Sequence, residues 1–150
     1  MTTYRNGNIY WINGQNRSDR NLLGLKLRDF LKTERRNWRR DVFYIDNTTF
    51  PTNGLLNSMI IANYISSMGV DMVITIDIGT AADKNTLRMA FGDRFVDMLI
   101  YNTKKIKQNV IYDTVFENQS EYSIAIDTTT DTATQAFSKL ICELRNRNFL

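Results

Sequence analysis

The stretch YWINGQNRSDRNLLGLKL, residues 10–27, carries the pattern that decides the fold. An apolar run is followed by a short polar loop that begins with a glycine, and the loop leads into a leucine-rich helical pattern. A strand, a polar loop and a helix in this order form a unit that commonly holds phosphate groups, because amide groups at the helix start point at the anion. The residues of the loop decide whether this chain can do so.

Outward from this stretch, apolar runs of four to eight residues alternate with longer helical patterns. The runs predict strands at 8–13, 41–46, 71–78, 95–101 and 122–127. The longer patterns predict helices at 19–34, 53–68, 82–91 and 131–146. This alternation predicts an α/β fold with a parallel sheet of five strands covered by helices on both faces. Ligands bind such sheets at the carboxyl ends of the strands, so residues 13–21, 46–53 and 78–84 should converge there.

Two helices carry more specific expectations. The second helix is predicted to bury one apolar stripe and to stop at Gly69, the stripe being Leu56, Ile60, Ala62, Ile65 and Met68. The last helix is predicted to be capped by Thr130 or Asp131. Its buried face is predicted to be Ala133, Phe137, Leu140, Ile141 and Leu144.

Composition limits the class of protein. With 150 residues and 43% hydrophobic content, residues 1–150 are expected to form a single domain with a real core. No apolar run of 18 residues predicts a membrane span, and the first residues do not resemble a secretory signal, so a cytoplasmic location is expected. With no histidine and one cysteine, zinc sites, disulfide frameworks and histidine-based catalysis are excluded, and no metal site is predicted. Cys142 is predicted to be a small buried hydrophobe.

The net charge is only +3, but the basic residues are concentrated in residues 26–40 and 102–109. Such clusters can bind nucleic acid or nucleotide phosphates, and Trp38, between arginines, could stack on a base. The alternative is a solvated helix end, with Trp38 packed against the sheet edge.

The loop departs from the phosphate-binding pattern G-x-x-x-x-G-K-[ST] in three consecutive places. Gly14 matches the first glycine, whereas Asp19, Arg20 and Asn21 replace the second glycine, the lysine and the hydroxyl residue. A carboxylate beside polyphosphate is unfavourable by roughly 1 kcal/mol or more. Arg20 keeps the positive charge as a planar fork, and Asn21 could offer its carbonyl oxygen to Mg²⁺. The alternative is that Ser18 or Asp19 only caps the helix.

The whole chain resembles the adenylylsulfate kinase family of P-loop small-molecule kinases, from about residue 8 to 147. The segments that carry the resemblance are NIYWINGQNRSDRNLLGLKLRDFL, VFYIDNTTFPTNGLL, TAADKNTLRMAFGDRFVDMLIY and FENQSEYSIAIDTTTDTATQAFSKLICEL. The resemblance implies a three-layer P-loop kinase-like fold and, if activity is kept, a phosphotransferase that uses ATP with Mg²⁺. It implies a phosphate loop made of Gly14, Gln15, Asn16, Arg17, Ser18, Asp19, Arg20 and Asn21.

The resemblance also implies roles for residues beyond the loop. Asp46 matches a carboxylate near the acceptor hydroxyl and Mg²⁺, where it would act as base or metal partner together with Arg20 as a catalytic residue. Its alternative role is a loop cap before NTTF. Substrate contacts are expected from Asn53, Asp83 and Arg88, with Lys84 in place of an arginine.

Other positions depart from the family. Its second Asp falls at Thr48, the following Arg at Pro51, and a substrate-contacting segment at 79–81. In the lid region, residues 106–112, only Tyr112 clearly agrees with the family. Adenylylsulfate phosphorylation is therefore not expected.

Three functions stay open after this comparison. The favoured one is a kinase-like protein with lost or altered phosphotransferase activity, retained as a binding or interaction module. The second is an active divergent kinase that transfers the γ-phosphate of ATP to a small nucleotide-like acceptor. The third is a nucleic-acid-binding accessory protein that uses residues 35–40. A nucleotide ligand and a homodimer are possible, and no membrane partner is expected.

Overall fold

The computed structural model describes residues 6–14, 16–34, 41–102 and 122–150. The strands are β1 (Ile9–Asn13), β2 (Phe43–Ile45), β3 (Met72–Ile74), β4 (Phe95–Tyr101) and β5 (Ile124–Asp127). The helices are α1 (Arg17–Glu34), α2 (Gly54–Ser67), α3 (Ala81–Phe91) and α4 (Ala133–Asn146), and a 3₁₀ turn at Gly92–Arg94 joins α3 to β4. Within these residues, no helix is long and apolar enough to cross a membrane.

The strands form one parallel sheet in the order β2-β3-β1-β4-β5. β1 lies at the centre, with Trp11 paired to Ile74 of β3 on one side and to Asp97 of β4 on the other. All five residues of β1 are buried, as expected for a central strand covered on both faces. The prediction of a five-stranded parallel sheet is confirmed.

Each face of the sheet has its own apolar cluster, because neighbouring residues along β1 point to opposite sides. Tyr10 and Ile12 pack in the cluster beneath α1 and α4. Ile9 and Trp11 pack in the other cluster, which contains residues of α2 and α3. Helices therefore cover both faces, as the sequence predicted.

Two strands, β2 and β3, are at most half as long as predicted. β2 covers residues 43–45 instead of 41–46, and β3 covers 72–74 instead of 71–78. After Ile74 the apolar pattern continues, but the backbone carbonyls now accept hydrogen bonds from side chains: Thr75 from Arg20 and Ile76 from the Trp11 indole. An apolar run is compatible with a hydrogen-bonded strand and equally with a buried connection of this kind, so the sequence could not separate the two. Residues 75–80 belong to the rim at the carboxyl ends of the strands.

The buried stripe predicted for α2 is wrong at three of its five positions. Leu56, Ile60 and Met68 are 56%, 48% and 59% exposed. The fully buried residues are Ser58, Ala62 and Ser66, all small and spaced four apart. Because α2 carries apolar side chains around most of its circumference, periodicity alone could not identify the side that faces the sheet.

The predictions for α4 need three corrections. The cap is Thr132, whose hydroxyl accepts the amide of Gln135 while the Gln135 side chain accepts the Thr132 amide, forming a capping box. The buried face contains Ala136 instead of Ala133, together with Leu140, Ile141 and Leu144. Cys142 is exposed, because a helix that turns Ile141 and Leu144 inward places residue 142 outward.

Candidate functional site

The loop between β1 and α1 is short. β1 ends at Asn13 and α1 begins at Arg17, two residues before the predicted start, so three residues connect them. The side-chain oxygen of Asn16 accepts the amide of Asp19 at 3.0 Å, and its carbonyl accepts the amide of Arg20. Asn16 is therefore the cap, in place of Ser18 or Asp19. Gln15 lies outside the described residues.

The side chain of Arg20 points into this loop and is 4% exposed. One guanidinium nitrogen donates to the carbonyl of Gly14, and Nε donates to the carbonyl of Thr75 at 3.1 Å. The other terminal nitrogen donates to the side-chain oxygen of Asn47 at 3.2 Å. One buried cation thus ties the ends of β1, β2 and β3 together at the rim.

Asn21, the next residue, is also engaged. Its side-chain oxygen accepts a hydrogen bond from the hydroxyl of Thr75 at 2.8 Å, and the Tyr44 hydroxyl lies 3.4 Å from the same Thr75 oxygen. Close helix–sheet contact allows this, because a Cβ on Gly24 would lie 2.5 Å from Thr75 Cγ2. The side-chain oxygen of Asn21, which stands where the phosphate-loop pattern has a Mg²⁺-binding hydroxyl, is thus hydrogen-bonded to Thr75, just beyond the end of β3.

Gly14 has a structural reason to be glycine. A Cβ at this position would lie 2.7 Å from the side chain and 2.8 Å from the carbonyl oxygen of Ile100 in β4. Its carbonyl also faces the Arg20 guanidinium. The close approach of two strands therefore accounts for this glycine without any bound phosphate.

These features do not fit a Mg²⁺-bound triphosphate in the loop. A phosphate cradle needs amide groups that point inward around an empty centre. Here a guanidinium occupies the inside of the loop, the carbonyl of Gly14 points at it, and the side chain of Asn21 is bonded to Thr75. A nucleotide could bind only after Arg20 left its partners.

Asp46 lies at the end of β2, where its carboxylate organises the following turn. One oxygen accepts the Thr48 amide at 2.8 Å and the Thr48 hydroxyl at 2.6 Å. Burial would raise the pKa of Asp46, but the hydrogen bonds from Thr48 and the charge of Arg17 hold this pKa below its ordinary value. These contacts are those of a loop cap, and a lowered pKa makes the carboxylate a weaker base.

Asp77 is a rim residue that the sequence analysis missed. Burial raises its pKa, and the positive charge of Arg20 opposes the rise. Its Oδ1 is buried and has no hydrogen-bond partner within the described ranges. An acidic residue after the apolar run MVITI was the signal that could have revealed it, but the whole of 71–78 was interpreted as a strand.

Arg88, expected to contact a substrate, belongs to a buried ion cluster beside the loop. The cluster is centred on Asp97, which is 1% exposed and accepts Lys84 Nζ at 2.8 Å and Arg88 Nη2 at 3.3 Å. The side-chain nitrogen Nδ2 of Asn13 donates to the other Asp97 oxygen at 2.9 Å, and Lys84 Nζ lies 3.0 Å from the ring centroid of Tyr122. The Arg88 side chain is 40% exposed, so it lies at the edge of this cluster, whereas Asp97 is buried.

The other predicted substrate residues lie at the starts of helices. Asn53 precedes α2 with a left-handed backbone (φ 51°), and its carbonyl accepts the Asn57 amide. Asp83 is in the first turn of α3, where its amide donates to the hydroxyl of the capping residue Thr80. Their substrate roles stay predictions. The lid region 106–112 and the basic segment 35–40 lie outside the described residues.

A cavity of about 190 Å³ lies beside the loop, between the start of α1 and the turn from β5 to α4. Its polar lining includes Asp19, Asn102, Thr128 and Asp131. Ligand pockets commonly measure about 300–1,000 Å³, so this one is small, and its two carboxylates disfavour an anion. Within the described ranges, no group of three or more metal-ligating side chains is found.

No protein-family model matches this chain, and no curated protein matches it. Solved structures that are similar to this chain include two that match over nearly their whole length. APE1195 is 17% identical with a TM-score of 0.67, and the match covers 95% of this chain and 96% of that one. The APS kinase CysC of Mycobacterium tuberculosis, solved in complex with AMPPNP and APS, is 9% identical with a TM-score of 0.63, covering 94% and 99%. At these identities the likeness concerns the fold, which is P-loop kinase-like.

Proposed function

We propose that this protein is a non-catalytic member of the P-loop kinase-like fold, retained as a binding or interaction module. The observation that carries the proposal is the position of Arg20, whose guanidinium bonds to the carbonyls of Gly14 and Thr75 and to the Asn47 side chain. Phosphoryl transfer depends on positioning and charge neutralisation of the phosphates. A cation that is already bound inside the loop supplies neither.

Three other features support the same proposal. The first is the length of the loop, which leaves three residues between β1 and α1. The second is Asn21, whose oxygen is bonded to Thr75. The third is Asp46, whose hydrogen bonds from Thr48 lower its pKa and fit a structural cap better than a general base.

The first test is calorimetric titration of the native protein with ATP and with GTP, each with Mg²⁺. Because Arg20 would have to give up three hydrogen bonds, two of them buried, we expect no binding up to about 1 mM nucleotide. Micromolar binding of either nucleotide would contradict the proposal and favour the active divergent kinase, and a screen of acceptors would then follow.

The second test restores the phosphate-loop residues in the double variant Asp19→Gly with Arg20→Lys. A lysine cannot reproduce the three-way contact of the guanidinium, so the loop interior should open, and the carboxylate of Asp19 is removed. We expect the variant to bind Mg²⁺-ATP at least about tenfold more tightly than the native protein.

The matched control is Arg28→Lys, the same exchange at a half-exposed arginine of α1 that pairs with Asp29. This control should leave affinity for ATP unchanged. If the double variant folds and also shows unchanged affinity, the loop is not a lapsed phosphate site, and the basis of the proposal is lost.

A further inference from the structure

A second cavity, larger than the one beside the loop, lies between α1 and α4. Its volume is about 410 Å³, within the range of about 300–1,000 Å³ that is common for ligand pockets. Phe30 of α1 and two residues of α4, Phe137 and Ile141, supply its apolar surface. The other described residues that line it also belong to α4: Ser138, Cys142, Arg145 and Asn146. We call it the α1–α4 cavity.

Two phenylalanines form one wall of the α1–α4 cavity. The rings of Phe30 and Phe137 meet edge to face, with centroids 5.9 Å apart and an interplanar angle of 73°. Both side chains are partly buried against the core beneath α1 and α4, and Ile141 beside them is 7% exposed. Aromatic rings favour edge-to-face and offset-stacked contacts, so this wall suits a further ring. Because the core holds the wall in place, the apolar surface exists before any ligand binds.

Arg145 gives the cavity a charged end. Its guanidinium carbon lies 5.5 Å from the centroid of the Phe30 ring, so the charge is close to the aromatic wall. Among the described residues that line the cavity, Arg145 is the one with a charge. Glu143, the carboxylate of α4, pairs with Arg147 and does not line the cavity. A guanidinium has five N–H donors and no acceptor, so it can bind a ligand oxygen in addition to its other partners.

We propose that the α1–α4 cavity binds a small aromatic carboxylate. The ring packs against Phe30 and Phe137, and the carboxylate accepts hydrogen bonds from Arg145. Arginine and carboxylate form paired, charge-assisted hydrogen bonds. A cationic ligand would meet a like charge here, and a neutral ligand would lack the charge-assisted bond. The negative end of the α4 dipole opposes an anion, so the expected affinity is moderate.

The α1–α4 cavity is separate from the phosphate loop. Phe30 lies more than three turns after Arg17, the first residue of α1, which is roughly 20 Å along the helix. The proposal therefore goes beyond the proposed function and holds whether or not the loop binds a nucleotide. Failure of one proposal would not decide the other.

The test is calorimetric titration of the native protein with 2-naphthoate, a two-ring aromatic carboxylate. We expect saturable binding with a dissociation constant of about 100 µM, which corresponds to an ordinary binding efficiency per atom for a ligand of this size. The neutral analogue 2-naphthamide should bind at least about fivefold more weakly, because it cannot form the charge-assisted pair with Arg145. The cation 2-naphthylmethylamine should not bind at about 2 mM, because its charge is repelled by Arg145.

Cys142 provides an independent measure of where the probe binds. It lines the cavity, it is exposed, and it is the one cysteine of the sequence. A ligand in the cavity should shield the thiol, so we expect about 2 mM 2-naphthoate to slow alkylation by iodoacetamide at least about fivefold. Alkylation that is not slowed although 2-naphthoate binds would place the binding elsewhere and overturn the proposal.

Two variants of α4 test the two parts of the cavity. Ser138→Trp places a large side chain in the cavity and should weaken binding of 2-naphthoate at least about tenfold. Its matched control is Thr134→Trp, the same new side chain at an exposed position one turn earlier that does not line the cavity. Arg145→Gln should weaken binding of 2-naphthoate at least about fivefold, but that of 2-naphthamide less than about twofold. Its matched control is Arg147→Gln, at the arginine that pairs with Glu143. Both controls should bind like the native protein.

Four outcomes of the titrations would overturn the proposal. The first is a native protein without saturable binding of 2-naphthoate at about 2 mM. The second is a folded Ser138→Trp variant that binds like the native protein. The third is 2-naphthamide that binds as tightly as 2-naphthoate, which would show that Arg145 does not hold the ligand. The fourth is a control that loses as much affinity as its partner variant. If Ser138→Trp does not fold, as judged by circular dichroism, the protection of Cys142 carries the test of location.

Discussion

At the rim of the sheet, the buried charge of Arg20 acts both on the backbone around it and on the carboxylate of Asp77. The Arg20 guanidinium is bound by two backbone carbonyls and one amide oxygen, and its charge also acts on Asp77. Burial nevertheless raises the pKa of Asp77 above its ordinary value of 3.8. The positive charge of Arg20 thus offsets part of the cost of burying the Asp77 carboxylate.

The raised pKa of Asp77 predicts a pH dependence of stability. A carboxyl group whose pKa is raised by folding stabilises the native state below pH 3.8, and this contribution is lost as the pH rises through the folded-state pKa. An asparagine side chain does not titrate, so the variant Asp77→Asn does not lose stability in this way as the pH rises. We expect the stability of this variant, relative to the native protein, to increase between pH 3.5 and pH 7 in urea unfolding.

The control for Asp77→Asn is Asp29→Asn, which removes an exposed carboxylate from α1 and tests the general effect of one lost negative charge. A stability difference for Asp77→Asn that is the same at both pH values would show that this carboxyl is not perturbed by burial.

At the site, the direction in which individual side chains point could be predicted from the sequence only in part. The sequence predicted that residues 13–21, after β1, and residues 46–53, after β2, would meet at the rim, and Arg20 of the first segment is hydrogen-bonded to Asn47 of the second. That Arg20 turns inward could not be predicted, because a guanidinium can satisfy carbonyls or phosphates equally well. Asp77 was missed because it follows an apolar run that predicts a strand, whereas the structure has a buried connection at this point.

At the scale of an element, the two buried serines of α2 differ in one respect. Ser66 Oγ accepts a hydrogen bond from an Arg94 guanidinium nitrogen at 2.8 Å. Ser58 Oγ is also buried, but it has no hydrogen-bond partner in the part of the chain that the structure describes. A buried hydroxyl without a partner costs free energy, whereas a bonded one contributes.

We therefore expect Ser58→Ala and Ser66→Ala to have opposite effects on stability. Ser58→Ala removes a desolvated hydroxyl and should raise the free energy of unfolding by about 1 kcal/mol. Ser66→Ala removes a partner of Arg94 and should lower it by about 1 kcal/mol. Because the two exchanges are identical in size and helix propensity, each is the control for the other in urea unfolding. Equal effects would show that the hydroxyl of Ser58 is satisfied in solution.

The sequence predicted which helices and strands exist, but it predicted only in part which side of each helix is buried. All five strands and four helices lie where the pattern placed them, with ends that differ by a few residues. The face of α4 was largely correct because its apolar residues form one stripe. The face of α2 was wrong because apolar residues surround the helix, and two of its three fully buried residues are serines, which a hydrophobic pattern does not mark.

At the scale of the whole molecule, charge predicts weak affinity for nucleic acid. A net charge of +3 is small for a protein that neutralises several phosphates, although residues 35–40 are locally basic. We expect a single-stranded 12-mer to bind with a dissociation constant above about 100 µM in about 150 mM salt. Fluorescence anisotropy across a salt series is the measurement.

A variant with Arg39 and Arg40 both changed to Ser is the control for the oligonucleotide measurement. Micromolar binding in physiological salt that weakens in this variant, with a steep salt dependence, would contradict the expectation. It would favour the nucleic-acid-binding function, with residues 35–40 as the contact.

The topology of the whole chain could be predicted better than its chemistry. Parallel strands and helices on both faces follow from hydrophobic patterning and general rules of chain geometry. The use of the site depends instead on where a few polar side chains point, and likeness of fold does not fix this.

The exposed position of Cys142 makes the molecule convenient for spectroscopy. It is the one thiol of the sequence, it lies on the outward side of α4, and α4 covers the sheet face opposite α2. A maleimide spin label would therefore attach at a single site, on the side of the sheet away from α2. In a symmetric pair of subunits two such labels would give one well-defined interspin distance by pulsed electron resonance, while isolated subunits would give only a background decay.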